Sequence, residues 1–504
     1  MRLPGPEGFR NRRSIPWAEV PCREVEEFRG EVTGAIAEGA RLVSFFGLPE
    51  DGQRTRLVAV LGDDERSALG VSSARVAAGY PALTPQCPEA HLFEREIAEQ
   101  CGVTPEGHPW LKPVRRHPPD HLPAGRVASR SDPEAYPFFR VEGEEVHEVA
   151  VGPVHAGVIE PGHFRFQAHG EDVLFLEIVL GYQHRGVERL LETLPPERAM
   201  QVAESIAGDT VIGHAEAFCG AFEALSRCRK SPRAQAVRGC ALELERLANH
   251  IGDLGALAGD VAFAPTAAIC GRVRGDVLNL LLALSGSRFG RGLVRPGGAG
   301  FELSAALADE LRARLATIAA EFEQAAGLFF GSESVQTRLE GTGVVPAASC
   351  RELGFVGPTA RASDVARDVR HDHPWGLYRF AHIPTATATT GDVAARAMVR
   401  TIEVRRSLEF LLEQLAALPR GEVRRAAPGA LAPDELVVAL AEGWRGEIAH
   451  VALTDPQGQV RRWKVTDPSF HDWSALAVAM AGTPISDFPL CNKSFNLSYA
   501  GHDL

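Results

Sequence analysis

The nine cysteines of this chain are scattered, and no two have the Cys-x-x-Cys spacing. That absence excludes the zinc knuckles, dithiol redox motifs and iron–sulfur loops that depend on the spacing. It fits a reducing, cytosolic compartment better than a disulfide framework. No apolar run approaches the roughly 18 residues of a membrane-spanning helix. The basic stretch Arg10-Asn11-Arg12-Arg13 is not followed by an apolar segment, so no signal peptide is expected. Positive charge is also in deficit: a net −12 argues against a general nucleic-acid binder. No Gly-x-x-x-x-Gly-Lys-Ser/Thr is present, and no Gly-x-Gly-x-x-Gly follows a strand, so nucleotide binding by this chain has no support. Internal repeats and low-complexity segments are missing.

What is present is ordinary for a folded protein. The 504 residues are 45% apolar and 23% charged, enough for two or three domains with real cores. Residues 1–120 mix short apolar runs with turn signals. Arg41 to Gly47 and Thr55 to Gly62 read as strands around a turn at Pro49-Glu50-Asp51-Gly52. Residues 91–100 suit a helix. Residues 121–146, with Pro123 and Ser129-Arg130-Ser131-Asp132-Pro133, read as a linker. From 147 to 504 two strands, Glu148 to Gly152 and Val173 to Glu177, precede long helical stretches at 197–229, 233–260, 269–284, 303–328 and 391–417. A strand pair follows, Glu447 to Thr454 and Gln459 to Val465, turning at Asp455 to Gly458. The fold class is therefore α+β: a small N-terminal α/β domain, then a mainly α-helical domain with small sheets at its start and end. Cys219, Cys228, Cys240 and Cys270 read as buried small apolar residues. The cluster Arg227 to Arg233 reads as a solvated helix end or a contact for an acidic partner.

Several motifs occur in a fixed order. Phe93-Glu94-Arg95-Glu96-Ile97 followed by Gly107-His108-Pro109-Trp110-Leu111 resembles the 30-kDa subunit of respiratory complex I. Gly152 to Phe166, Leu180-Gly181-Tyr182-Gln183-His184-Arg185-Gly186-Val187-Glu188, Glu245-Arg246-Leu247-Ala248-Asn249-His250-Ile251, Arg291 to Gly298 and Gly391 to Arg396 follow. Together they resemble the large subunit of group-4 membrane-bound nickel–iron hydrogenases and, more weakly, its relative, the 49-kDa subunit of complex I. The fused arrangement is similar to the formate hydrogenlyase large subunit.

In that hydrogenase family two Cys-x-x-Cys pairs hold nickel and iron. The matching positions here read Ala207, Thr210, Ser498 and Gly501. Cysteines three apart on a helix would place both sulfurs on one face. Ala207 and Gly501 offer no donor, and the hydroxyls of Thr210 and Ser498 are poor substitutes for soft thiolates. The resemblance thus implies that the nickel–iron centre is lost and that no cofactor resides in this chain. It implies a 4Fe-4S cluster in a small iron–sulfur partner subunit, and integral membrane antiporter-like partner subunits. The chain is expected at the cytoplasmic face of the membrane, held peripherally. It stops at Gly501-His502-Asp503-Leu504, so no maturation tail is expected.

A quinone stays open as acceptor, although the family's two headgroup partners fall at Pro161 and Gly208. The resemblance places Glu160 near the proton-relaying Glu of hydrogenases and Arg445, in Glu442 to Glu447, at the Arg above the metal. His163, His184 and Arg185 belong to the family-like opening. Asp209 and Thr210 join them around the vacated pocket, with His155 nearby. Such a pocket shifts pKa values and moves protons, closes as a satisfied polar network, or holds a different metal. His155 taken alone reads as a hydrogen-bonded structural residue.

Overall fold

The computed structural model describes residues 3–50, 53–119, 121–122, 136–155, 159–427 and 429–504. Most of the expected linker and the tip of the expected turn at Asp51-Gly52 lie outside the described residues. The expected α+β architecture is what the chain adopts: long helices with small sheets between and around them.

The N-terminal sheet has four strands, in the order Cys22–Arg23, Ala68–Val76, Arg54–Asp63, Arg41–Glu50. Its strands are apolar on both faces, and each face has its own cover. Leu42, Phe45, Leu57, Ala59 and Leu61 pack with helices Val25–Ala37 and His91–Cys101. Val43, Phe46, Leu48, Val58 and Val60 join the main core of the molecule. A bulge between Leu42 and Ser44 lets Leu42 and Phe45, three apart, share a face.

The C-terminal sheet runs Ser14–Pro16, Glu435–Gly443, Gly446–Thr454, Val460–Thr466. The strand pair read from sequence is therefore half of a four-stranded sheet, and its outer strand comes from residue 14 onward. The sequence pattern did not announce Glu435–Gly443, because a strand buried along its length has no alternation to read. A third sheet, Val146–Val151, His163–His169 and Asp172–Val179, is antiparallel throughout.

Helix Pro232–Asp260 is the axis of the large part, with 22 of its 29 residues buried. It starts sharply: the Ser231 hydroxyl accepts from Ala234 N, and Pro232 occupies the first turn. Helices Ala264–Ser285, Ala305–Phe330 and Val393–Ala416 surround it, close to the expected bounds. The expected continuous helix 197–229 is instead two helices, Pro196–Ala203 and Val211–Leu225. The break holds Gly208, Asp209 and Thr210, and it carries the first degenerate motif. Among the described residues, no helix is long and apolar enough to cross a membrane.

Candidate functional site

The two degenerate motifs are brought together by the other motifs of the chain. The first loop runs from Glu204 to Thr210. Its Glu204 Oε1 accepts from Gly292 N and from Arg295 Nη1, both at 2.7 Å. The second follows helix Phe488–Phe495, which Asn496 ends in the left-handed region at φ 48°. Arg400 donates to Ser494 O and Phe495 O at 2.5 and 3.0 Å, and Arg396 Nε to Ser494 Oγ at 2.9 Å. Arg185 ties one loop to the other. It donates to Ser205 O at 2.6 Å, Ile206 O at 2.8 Å and Ala500 O at 3.0 Å. It has only carbonyl acceptors there, and burial lowers its pKa against the pull of Asp503 and Glu160.

One turn of the axial helix grips three elements at once. Glu245 accepts from Ile212 N at 2.6 Å and Gly213 N at 3.0 Å, at the start of the helix that follows the first motif. Arg246 donates to Glu442 O and Gly443 O at 2.7 and 3.0 Å, which fixes the hairpin Gly443-Trp444-Arg445-Gly446. Asn249 Nδ2 donates to Asp209 O at 3.0 Å. Residues three and four apart on a helix share a face, so Glu245, Asn249 and their neighbours reach one pocket.

The hairpin projects Arg445 into that pocket. Its guanidinium clamps Asp209 with two parallel bonds, at 2.6 and 2.8 Å. It also donates to Thr210 Oγ1 at 3.1 Å and to Asn496 O at 2.5 Å, and it stacks 3.9 Å from the Trp444 ring centroid. Burial works against the Asp209 charge, but Arg445 outweighs it and holds the carboxyl below its usual range. Asn496 Nδ2 reaches Asp253 at 2.6 Å, and Asp253 pairs with Arg400 at 2.8 Å. Glu245 has no paired cation: burial pushes it up to about 8, against its two backbone donors and the weaker pull of Arg246.

The four positions that the resemblance sets against the family's cysteines are placed as follows. Ala207 is fully buried, and Thr210 stands at the N-cap position of helix Val211–Leu225 without a side-chain capping bond, its hydroxyl donating to Asp209 and accepting from Arg445. The expected pairing on one helix face does not arise at the first motif, which is a loop and a cap. Ser498 Oγ accepts from Gly501 N at 2.8 Å as the cap of the last helix. Gly501 lies against Asp467: a Cβ there would stand 2.6 Å from the Asp467 carboxyl carbon.

The expected site residues divide. Asp209, Thr210 and Arg445 form the clamp, and Arg185 ties the loops. Glu160 is exposed at the rim. Crowding by the protein raises its pKa, with Asp209 adding to the rise and Arg445 opposing it. His163 and His155 instead bond backbone carbonyls, Gly152 O at 3.0 Å and Gly162 O at 3.1 Å. His184 bonds Asp503 O at 2.8 Å and stacks on His117. Residues 156–158, between His155 and Glu160, lie outside the described residues. Cys219, Cys240 and Cys270 are buried, as expected, whereas Cys228 is half-buried. Among the described residues, no group of three or more His, Cys, Asp or Glu is arranged to hold a metal ion.

The sequence reading missed His214, Asp253, His450 and Asp467, and it placed Glu245 in a family-like motif without a role at the site. His214 is four residues after Thr210, one helical turn on, and that spacing was the available signal. The others are distant in sequence and meet only in the fold.

The N-terminal motif acts as a clamp. Glu94 accepts from Leu83 N at 2.8 Å and from Thr84 N at 3.0 Å. Arg95 holds the carbonyls of Lys112 and Pro113 at 2.7 and 2.9 Å. Glu96 pairs with Arg115 and, at 2.7 Å, with Lys464 of the C-terminal sheet. Arg115 in turn donates to His502 O at 2.9 and 2.7 Å, beside the second motif.

Comparison with known proteins identifies the family. Residues 260–435 match the family described as respiratory-chain NADH dehydrogenase, 49 Kd subunit. Formate hydrogenlyase subunit 5 of Escherichia coli is 28% identical over 439 residues, covering 84% of this chain and 77% of that protein. An NADH-quinone oxidoreductase subunit from Dehalococcoides mccartyi is 29% identical over 339 residues, 67% of this chain and 92% of that protein. Carbon monoxide-induced hydrogenase of Rhodospirillum rubrum is 30% identical over 351 residues, 69% of this chain and 97% of that protein. The chain belongs to the family of group-4 hydrogenase large subunits and complex I 49-kDa subunits.

Proposed function

We propose that this chain is the large subunit of a membrane-bound, complex-I-like oxidoreductase that couples electron transfer to proton movement without a nickel–iron centre. The observation that carries the reading is the Arg445 clamp on Asp209 between the two degenerate motifs. The donor set does not fit a thiolate-held metal pair. It offers a methyl group, a hydroxyl bonded to Arg445, a hydroxyl spent on a helix cap, and a glycine. The loops are nevertheless firmly positioned, by Glu204, Arg185 and Arg400 among others.

In this reading a small iron–sulfur subunit with a 4Fe-4S cluster packs against the pocket, and antiporter-like membrane subunits anchor the assembly. The chain then sits peripherally at the cytoplasmic face. An electron arriving beside the pocket adds negative charge, which favours protonation of Glu160 and loosens Asp209 from Arg445. A quinone is the acceptor class that fits a membrane complex, with contacts other than the family's two headgroup partners, which fall at Pro161 and Gly208. A second reading, a non-catalytic scaffold between the iron–sulfur subunit and the membrane arm, is favoured by Arg445 itself: its Nε, Nη1 and Nη2 all have acceptors, as in a closed pocket.

Elemental analysis of this subunit purified with its iron–sulfur partner tests the reading. Iron accounted for by the partner, with no nickel, is expected; about one nickel per chain would overturn it. Replacing Glu160 by Gln separates the two readings. Loss of turnover or ion pumping supports proton coupling, and full retention of both leaves the scaffold.

A further inference from the structure

A hydrogen-bond chain runs through the core to the second degenerate motif, and its direction is fixed at one end. Trp463 Nε1 meets His450 Nδ1 at 3.1 Å. The indole nitrogen is a donor only, so His450 Nδ1 accepts. His450 therefore carries its proton on Nε2 and donates to His214 Nδ1 at 3.3 Å. His214 then donates from Nε2 to Asp467 Oδ2 at 2.9 Å. Every member of the chain is buried, with 0% to 1% of its surface exposed. A second bond holds the same carboxylate, since Asp467 Oδ1 accepts from Ser469 N at 2.8 Å as the cap of helix Pro468–Met480.

The far side of this carboxylate touches Gly501. A Cβ built at Gly501 would lie 2.6 Å from Asp467 Cγ and 2.7 Å from each oxygen. Real contacts are never that short. Relief by a turn of the Asp467 side chain would break the bond from His214, the bond from Ser469 N, or both. In the family the residue at this position carries a thiolate. Burial opposes the charge on Asp467, but the His214 bond and the nearby Arg445 outweigh it, and the carboxyl is held below its usual range. The cation facing it is Arg445 from the hairpin, and His214, from the helix after the first motif, faces it as a hydrogen-bond donor.

We propose that Asp467 has taken the place of the fourth thiolate: its carboxylate fills the side-chain space of Gly501, is locked there by the Trp463–His450–His214 chain, and bars that position to a metal ligand. The inference rests on the reading that the nickel–iron centre is absent, and it adds how the vacancy is filled. Asp467 is a positioning residue on this account, standing for the lost anion beside Arg445.

The test is a double-mutant cycle on the full chain, read as the thermal midpoint. Gly501→Ala is expected to lower the midpoint by several degrees in the natural background. Asp467→Ser keeps a hydroxyl cap for Ser469 but withdraws the carboxylate. In that background Gly501→Ala is expected to be neutral or stabilising, because alanine is the better helix former. Asp467→Asn keeps the volume, so the penalty at Gly501 persists. Equal penalties in the natural and Ser backgrounds would overturn the proposal. A second readout uses zinc alone. With Ala207→Cys, Thr210→Cys, Ser498→Cys and Gly501→Cys together, uptake that requires Asp467→Ser supports the proposal. Stoichiometric uptake with Asp467 in place overturns it. Nickel in the natural protein would instead defeat the functional reading, and the stability cycle would still report on Asp467.

Discussion

The two loops that carry the family-like motifs, Glu204 to Thr210 and Asn496 to Gly501, are closed in different ways. At the first, the closure is an ion pair reaching outward: Asp209 keeps 33% of its side-chain surface exposed beneath the buried Arg445. At the second, the closure is internal: Asp467 and His214 are 1% and 0% exposed, and the pair is continuous with the core through His450 and Trp463. A water-facing pair titrates and opens cheaply, whereas a buried pair resists both. On the proposed reading, the first motif is then the place for proton chemistry and the second holds the site shut.

The most damaging way to break this contrast is Asp467→Ala. It leaves His214 Nε2–H and Ser469 N–H buried without acceptors, at a cost of about 1–3 kcal/mol for each. A clear fall in thermal midpoint is expected. A change no larger than that of an average surface mutation would mean that the second closure is not what holds the loop.

Arg445→Met should do less to stability and more to pH response. With Arg445 present, the Asp209 pKa is depressed in the folded state. The contribution of that pair is thus present above the ordinary carboxylate range and is lost as pH falls through the folded value. Without Arg445, part of the acid-side loss in thermal midpoint should vanish. Because Asp209 is partly exposed, salt should shrink the effect as well. A midpoint-versus-pH curve unchanged by the substitution would move the acid sensitivity elsewhere.

Glu245 gives a pH effect of the opposite sign. Its folded pKa of about 8 lies above the unfolded value. The folded state therefore binds the extra proton between the two, and stability falls as pH rises through that window. Glu245→Gln keeps an oxygen for Ile212 N or Gly213 N and removes the titration. The gap in thermal midpoint between pH 5 and pH 8.5 should narrow in the variant. An unchanged gap would show that the backbone donors hold Glu245 charged.

The legible part of this molecule was its scaffold. Pro232–Asp260 and Val393–Ala416 were readable from apolar spacing as 233–260 and 391–417, and the structure shows the caps that start them, Ser231 and Asp392. Motif order led to the pocket, and Asp209, Thr210 and Arg445 meet there. Three things resisted. The break at Gly208 to Thr210 was hidden because its flanks, 196–203 and 211–225, are both helical. The strand at residue 14 pairs with one beginning at 435, and no local pattern signals a partner that distant. His214, His450 and Asp467 are polar residues in apolar surroundings, and only the fold shows that they satisfy one another.

The smallest expected effect lies at Ser498, and it sharpens the contrast. Ser498→Ala removes the hydroxyl that accepts from Gly501 N. The last helix is only five residues long, Tyr499–Asp503, so it has little else to hold its first turn. The loss of such a cap costs about 1 kcal/mol. If Asp467 closes the second site, the loop stays in place without Ser498, because Arg185 still holds Ala500 O and Arg400 still holds Ser494 O and Phe495 O. The midpoint should then fall slightly, with turnover unchanged. A loss of turnover from Ser498→Ala at small cost in stability would instead place the hydroxyl in the chemistry, and the second motif would no longer be a mere closure.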